Sequence, residues 1–85
     1  MTEERFLEVR VRSRQGLVFE GQAVAVTSEN KKGVFDVLPR HANFICTIRK
    51  RLVIGKAGGE KETMNLEAGI LHVYKNKVIV FLGVM

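Results

Sequence analysis

From Leu7 onward the chain alternates apolar and polar residues with a period of two, segment after segment, and nowhere sustains the period of an amphipathic helix. Leu7, Val9 and Val11 fall against Glu8, Arg10 and Arg12, the pattern of a half-buried strand over residues 6–12. Gly16 breaks that strand. Residues 17–20 read as a second, and Glu20-Gly21 as a turn into a third at 22–28, with Val24 and Val26 on one face and Ala23 and Ala25 on the other. Asn30-Lys31-Lys32-Gly33 is a polar loop, followed by an apolar run at 34–38. Pro39 cannot donate to a ladder, so the chain must leave the sheet or edge it there. Strands are predicted again at 44–49 and 51–55, at 60–66 and 70–74, and at 78–82, separated by Ala57-Gly58-Gly59 and Lys75-Asn76-Lys77 turns. About nine or ten short strands with Gly or Asn turns predict an all-β sandwich or flattened barrel, a single domain over residues 1–85.

Size limits what such a domain can hold. At 85 residues a chain buries roughly 60–65% of its unfolded surface, which leaves little room for a large enclosed active site. Hydrophobic residues at 46% and charged residues at 27% are ordinary for a globular protein and argue against disorder. The longest apolar runs, such as 78–85, fall far short of the roughly 20 residues of a spanning helix. Met1-Thr2-Glu3-Glu4-Arg5 carries neither an apolar leader core nor an amphipathic presequence, so a cytoplasmic location is expected. The one cysteine, Cys46, has no disulfide partner, and with His41 and His72 it makes no metal-ligand spacing. It reads as a small core hydrophobe.

The net charge of +5 raises the question of an anionic partner. Arg10, Arg12 and Arg14, at every second position, would line one strand face, and Arg49-Lys50-Arg51 forms a second cluster at a strand junction. Single-strand binders interleave such cations with aromatic platforms, whereas Phe6, Phe19, Phe35, Phe44 and Phe81 mostly fall where the pattern calls for core. Nucleic acid is therefore not expected as a partner. A solvated face or contact with an acidic protein surface fits better.

No catalytic constellation is evident. Ser13, Ser28, His41, His72 and Asp36 include the residue types of a hydrolase triad without any nucleophile elbow. Gly55-Lys56-Ala57-Gly58-Gly59 lacks the Lys-Ser/Thr ending and the following helix of a phosphate loop, and reads as a hairpin turn. His41, just past Pro39 on an irregular loop, is either a loop-holding hydrogen-bond group or an interface residue. No cofactor, metal or tight nucleotide site is expected.

Three segments carry a more specific signal: residues 33–44 with Gly33, Pro39, His41 and Ala42; residues 67–74 with Gly69, Ile70 and Val73; and Asn76 leading into Val78 and Val80. In spacing and order they resemble the amino-terminal β-sandwich domain of the epsilon subunit of F-type ATP synthases, over about residues 7–82. Phe19-Glu20-Gly21 is similar to that family's Phe-x-Gly turn, where the glycine accepts a strained backbone and the Phe enters the core. Asp36 and Asn43 stand where the family's loop has a second glycine and a second proline, and Val34 stands where an acid is common. The resemblance implies a non-catalytic rotor-stalk component that docks to the gamma subunit and the c ring, peripheral to the cytoplasmic side of the membrane through the complex. It further implies a gamma interface at Pro39, His41, Ala42, Phe44 and Cys46, and a ring-facing loop comprising Glu29, Lys31, Lys32, Val34 and Asp36. With Lys31-Lys32 at the loop, an acid-to-arginine contact there would need Glu29 or Asp36 to supply the acid. Family members usually continue into a helical pair that inhibits hydrolysis and in some cases binds ATP, and an 85-residue polypeptide of this kind is expected to lack both properties. The rival reading is a standalone β-sandwich module that uses a basic face for an anionic partner.

Overall fold

The computed structural model describes residues 5–83, so the leader reading at residues 1–4 and the last two residues of the 78–85 run lie outside the described residues. The described residues form seven strands: β1 (Leu7–Ser13), β2 (Gly16–Ala23), β3 (Ala25–Asn30), β4 (Gly33–Val37), β5 (Phe44–Gly55), β6 (Lys61–Tyr74) and β7 (Lys77–Leu82). They hydrogen-bond in the order β2-β1-β7-β6-β5-β3-β4, antiparallel throughout except for the parallel pair β1 and β7.

Seven strands replace the nine or ten expected because two predicted breaks are bulges. Segments 44–49 and 51–55 are one strand, β5, with a register shift between Ile48 and Lys50. Segments 60–66 and 70–74 likewise join as β6, which skips from Leu66 to Gly69 opposite that shift. A bulge adds residues and bends a strand without ending its pairing, so in sequence it looks like a turn. The bend lets β5 and β6 serve two layers: their 44–48 and 69–74 halves join β7, β1 and β2, and their 50–55 and 61–66 halves join β3 and β4.

Burial follows from that folding. Leu7, Val9 and Val11 of β1, Val26 of β3, Val37 of β4, Leu52 and Ile54 of β5, and Val78 and Val80 of β7 belong to one buried cluster. In a flat sheet β1 and β3 would lie four strand spacings apart, roughly 19 Å, too far for their side chains to meet. A single cluster thus requires the sheet to close on itself as a sandwich.

Two local expectations change. Gly21 lies within β2 opposite Val9, not in a turn, and its backbone is not in the left-handed region. The Phe19 ring lies across it, and a Cβ there would stand 3.3 Å from Phe19 Cζ, close enough that the ring would have to shift. Phe19 itself is half-buried against the core. The strand predicted at 22–28 breaks at Val24, whose N–H donates to the Gly55 carbonyl at 2.8 Å. That bend resets the phase, so Ala23 and Val26 are buried and Val24 is exposed. Close approach explains Gly69 as well, since a Cβ would meet the Phe81 carbonyl oxygen at 2.8 Å where β6 and β7 pair.

Candidate functional site

The loop 38–43 crosses from β4 to β5, and neighbouring elements stitch it down. The Arg40 N–H donates to Asn76 Oδ1 at 2.7 Å, and the Lys75 N–H donates to Asn43 Oδ1 at 2.9 Å. Two side-chain amides thus tie the loop to the β6–β7 turn, while the Asn76 carbonyl accepts from the Glu8 N–H at 2.9 Å. Arg40, Lys75 and Asn76 are all in the left-handed region, with φ of 69°, 50° and 64°. Such backbone costs about 1 kcal/mol or more per residue, and these amide contacts help to offset it. Asn76 was prominent in sequence only as a turn former, and Asn43 only as a departure from a proline; their pairing depends on a contact more than 30 residues away along the chain.

Within this loop the His41 N–H donates to the Leu38 carbonyl at 3.1 Å. Its ring Nδ1 lies 3.1 Å from the Ala42 carbonyl oxygen, and since a carbonyl only accepts, Nδ1 carries a proton. The imidazole also packs on Phe44, with ring centroids 5.1 Å apart, and Phe44 meets Phe35 edge to face at 6.1 Å. Pro39 is half-buried, and His41 and Ala42 are exposed. Phe44 and Cys46 point inward, half-buried against the core. Burial pushes the Cys46 thiol above its ordinary pKa, and its hydrogen bond with Asn30 partly opposes that.

The outward positions beside this loop are others. Strand register sets Ile45, His72, Ile79 and Arg10 in one row and Thr47, Ile70, Phe81 and Arg12 in the next. Ile45 is 65% exposed, Tyr74 48% and Phe81 42%, giving the outer face of one layer an apolar patch flanked by Arg10 and Arg12. His72 lies on it, tilted against Tyr74. The sequence signal that could have found this face is the continuity of Ile70, Ile79 and Phe81 on β-branched or aromatic strands with apolar residues at both alternations. The predicted arginine row is shorter than expected: Arg14 lies in the β1–β2 turn and Arg10 donates to Glu20 at 2.7 Å. A shallow groove nearby, over Gly21, is lined by Glu8, Arg10, Glu20 and Lys77, two acids against two bases.

The second predicted set divides. Lys31 and Lys32 are exposed at the β3–β4 turn, where the Lys32 N–H donates to Asn30 Oδ1 at 2.8 Å and Gly33 takes a φ of 126°. Val34, 57% exposed, pairs with Glu29. Both candidate acids are engaged: Glu29 is 3.4 Å from Lys50 Nζ, and the Asp36 carboxylate accepts the Thr27 hydroxyl at 2.5 Å. The residue types once considered for a triad are dispersed, with Ser28 buried and donating to the Arg51 carbonyl at 2.7 Å. Among the described residues no group of three or more His, Cys, Asp or Glu could hold a metal ion, and no helix is long and apolar enough to cross a membrane.

This arrangement defines a β-sandwich with exposed apolar and cationic surfaces and no assembled reactive centre among the described residues. Residues 6–83 match the family model described as "ATP synthase, Delta/Epsilon chain, beta-sandwich domain", and the chain belongs to that family. It is 29% identical over 72 residues to the ATP synthase epsilon chain of a Nitratiruptor species, covering 84% of this chain and 56% of that protein. With the epsilon chain of Acidithiobacillus ferridurans it shares 31% identity over 74 residues, covering 87% and 52%. The chain thus spans about half the length of the curated relatives it matches. Among solved structures it superposes with a TM-score of 0.88 at 16% identity on a chain of the Euglena gracilis mitochondrial ATP synthase (OSCP/F1/c-ring, rotational state 1), covering 96% of this chain and 53% of that one. For a chain of the Tetrahymena thermophila mitochondrial ATP synthase central stalk/c-ring the TM-score is 0.73 at 13% identity, covering 95% and 66%.

Proposed function

We propose that the chain is a non-catalytic rotor-stalk component of an F-type ATP synthase, coupling ion translocation to ATP synthesis or hydrolysis by docking to the gamma subunit and the c ring. The observation that carries the reading is the apolar outer face of Ile45, Ile70, Ile79 and Phe81, continuous with the clamped loop 38–43. A small domain with such a face gains stability when a partner covers it, and in a central stalk that partner is gamma. Within this reading Pro39, His41 and Ala42 touch gamma directly, while Phe44 and Cys46 support them from below. The β3–β4 turn with Glu29, Lys31, Lys32 and Val34, and Asp36 behind it, faces the ring. The mechanism is mechanical: a closed sandwich held between two rotor parts passes torque along without making or breaking bonds. The complex sits at the cytoplasmic side of the membrane.

Ile45→Glu and Phe81→Glu, each in full-length chain, test the gamma face by pull-down with the cognate gamma subunit. Both side chains are exposed, so circular dichroism should keep its strand signature while gamma binding falls. Gamma retention equal to the parent in both variants would refute the assignment. Cysteines at Lys31 or Lys32, with Cys46 replaced by Ser, should cross-link to c subunits in assembled enzyme. Cross-links to catalytic-head subunits alone would reverse the orientation.

A further inference from the structure

The β5 bulge does something that the docking reading leaves unused. Ile48 and Leu52 are buried, so strict alternation along β5 would turn Lys50 inward between them. Instead Arg49, Lys50 and Arg51 are all exposed, three successive cations reaching solvent. The device is visible in the register: β3 pairs Ser28 with Leu52 and Glu29 with Arg49, leaving two β5 residues without a partner on that edge, and Lys50 takes a left-handed φ of 75°. The Arg51 carbonyl next to the shift is satisfied by the hydroxyl of the wholly buried Ser28. The projection of the three cations is therefore fixed by the core and is not a product of side-chain flexibility.

The β3–β4 turn adds Lys31 and Lys32, two and three residues beyond Glu29 and within roughly 10 Å of it by ordinary strand spacing. Among the described residues only Lys50 of these five cations has an ion pair, with Glu29; Lys31, Lys32, Arg49 and Arg51 have none. Glu67, exposed on the facing β6 bulge, and the apolar Val34 beside Glu29 complete the corner.

We propose that this corner is a cationic docking surface for an acidic protein surface. Resting on the rotor-stalk reading, the proposal names carboxylate-bearing loops of the c ring as the occupant, so that here the stalk subunit supplies the bases and the ring the acids. Charge complementarity selects the partner's sign. Its class follows from what surrounds the cations. The inward-facing Phe35 and Phe44 leave no aromatic platform at the corner for nucleic-acid bases. A uniform anionic lipid surface would meet Glu29 and Glu67 as well as the cations, and would gain nothing from the apolar Val34 at this depth. A protein loop can place acids against the four unpaired cations and an apolar group against Val34.

The test compares the full chain with its Arg49→Glu/Arg51→Glu and Lys31→Glu/Lys32→Glu variants, measuring binding to purified cognate gamma subunit and to a gamma–c-ring subcomplex at low and high salt. The expected result is unchanged affinity for gamma alone and about a tenfold or greater loss for the subcomplex at low salt, equivalent to about 1.4 kcal/mol or more. That difference should shrink as salt is raised. Subcomplex affinity and salt dependence equal to the parent, with gamma still bound, would overturn the cationic corner and leave the rotor reading standing. Failure of the parent chain to bind either gamma or the subcomplex would instead overturn the rotor reading, and this proposal with it. Salt-sensitive retention on phosphatidylglycerol vesicles that the charge reversals abolish, without effect on the subcomplex, would assign the corner to lipid and also overturn it.

Discussion

The loop 38–43 with the β6–β7 turn and the β3–β4 turn with the β5 bulge both hold left-handed backbone, and they hold it in opposite ways. At the first, Asn43 and Asn76 use exposed or half-buried side-chain amides to accept backbone N–H groups, and the rings of Phe44 and Phe35 pack beneath the exposed His41. At the second, a wholly buried Ser28 works from inside the sandwich, and what projects is charged apart from Val34. The first region thus mixes its proposed contact surface with its own support. In the second, the support is buried and the contact side chains stand clear of it. Substitutions should reflect this: at the clamped loop, stability and binding change together, and at the cationic corner they separate.

Phe44→Ala carries the largest expected effect. It removes a half-buried ring that touches both Phe35 and His41. A loss of about 2–3 kcal/mol in urea unfolding is expected, toward the low end for aromatic truncation because the ring is only partly enclosed. A loss under about 0.5 kcal/mol would mean that the loop end is not supported from below, and the contrast between the two regions would collapse.

Ser28→Ala probes the opposite end, where the support is one hydrogen bond. The Arg51 carbonyl would lose its 2.7 Å donor, the hydroxyl of the wholly buried Ser28. The expected cost is about 2 kcal/mol, within the range for a hydrogen bond whose acceptor is left unpaired. Hydrogen exchange should locate the loosening at residues 49–51. Exchange that instead quickens in the 38–43 loop would show that the two regions are mechanically one.

Asn76 separates backbone strain from hydrogen bonding at the clamp. Asn76→Ala loses the bond to the Arg40 N–H and places Ala at φ 64°, for about 1–2 kcal/mol together. Asn76→Gly relieves the strain but not the lost bond, so it should recover roughly half of that, less what glycine costs in the unfolded chain. Equal destabilisation by both would mean that the amide alone matters.

The sandwich class was legible because alternation survives burial: Leu7, Val9 and Val11 face the core as their spacing requires, and so do Val78 and Val80. Strand count was not legible, since a bulge at Lys50 and a turn look alike when only one strand of the pair is read. The phase error at Val24 has the same origin, a bend specified by a hydrogen bond to Gly55 that lies over 30 residues away. Of the candidate surfaces, the loop from Pro39 to Ala42 was legible through its resemblance and its proline. Ile45 was missed because Phe44 is the larger apolar residue, yet alternation within β5 turns Phe44 in and Ile45 out. The cationic triplet at 49–51 was noticed, but its exposure depends on register with β3 and β6, which composition does not contain.

The smallest effect expected is at Lys50, and it bears most directly on whether the corner's charges are free of the fold. Lys50 holds a left-handed φ of 75°, a conformation that glycine adopts without steric cost. Lys50→Gly removes about 1 kcal/mol of that strain and returns about 0.4–1 kcal/mol through a more flexible unfolded chain. The lost ion pair with Glu29 adds little, because Lys50 is largely exposed and the pair is screened. The two main terms nearly cancel, so the unfolding free energy should move by no more than about 0.5 kcal/mol. Lys50→Ala gains no relief and should be equal to the parent or slightly less stable. If Lys50→Gly instead costs well over about 1 kcal/mol, the lysine side chain is holding the bulge together. The projecting cations would then be part of the support, and the separation between support and contact at this corner would be lost.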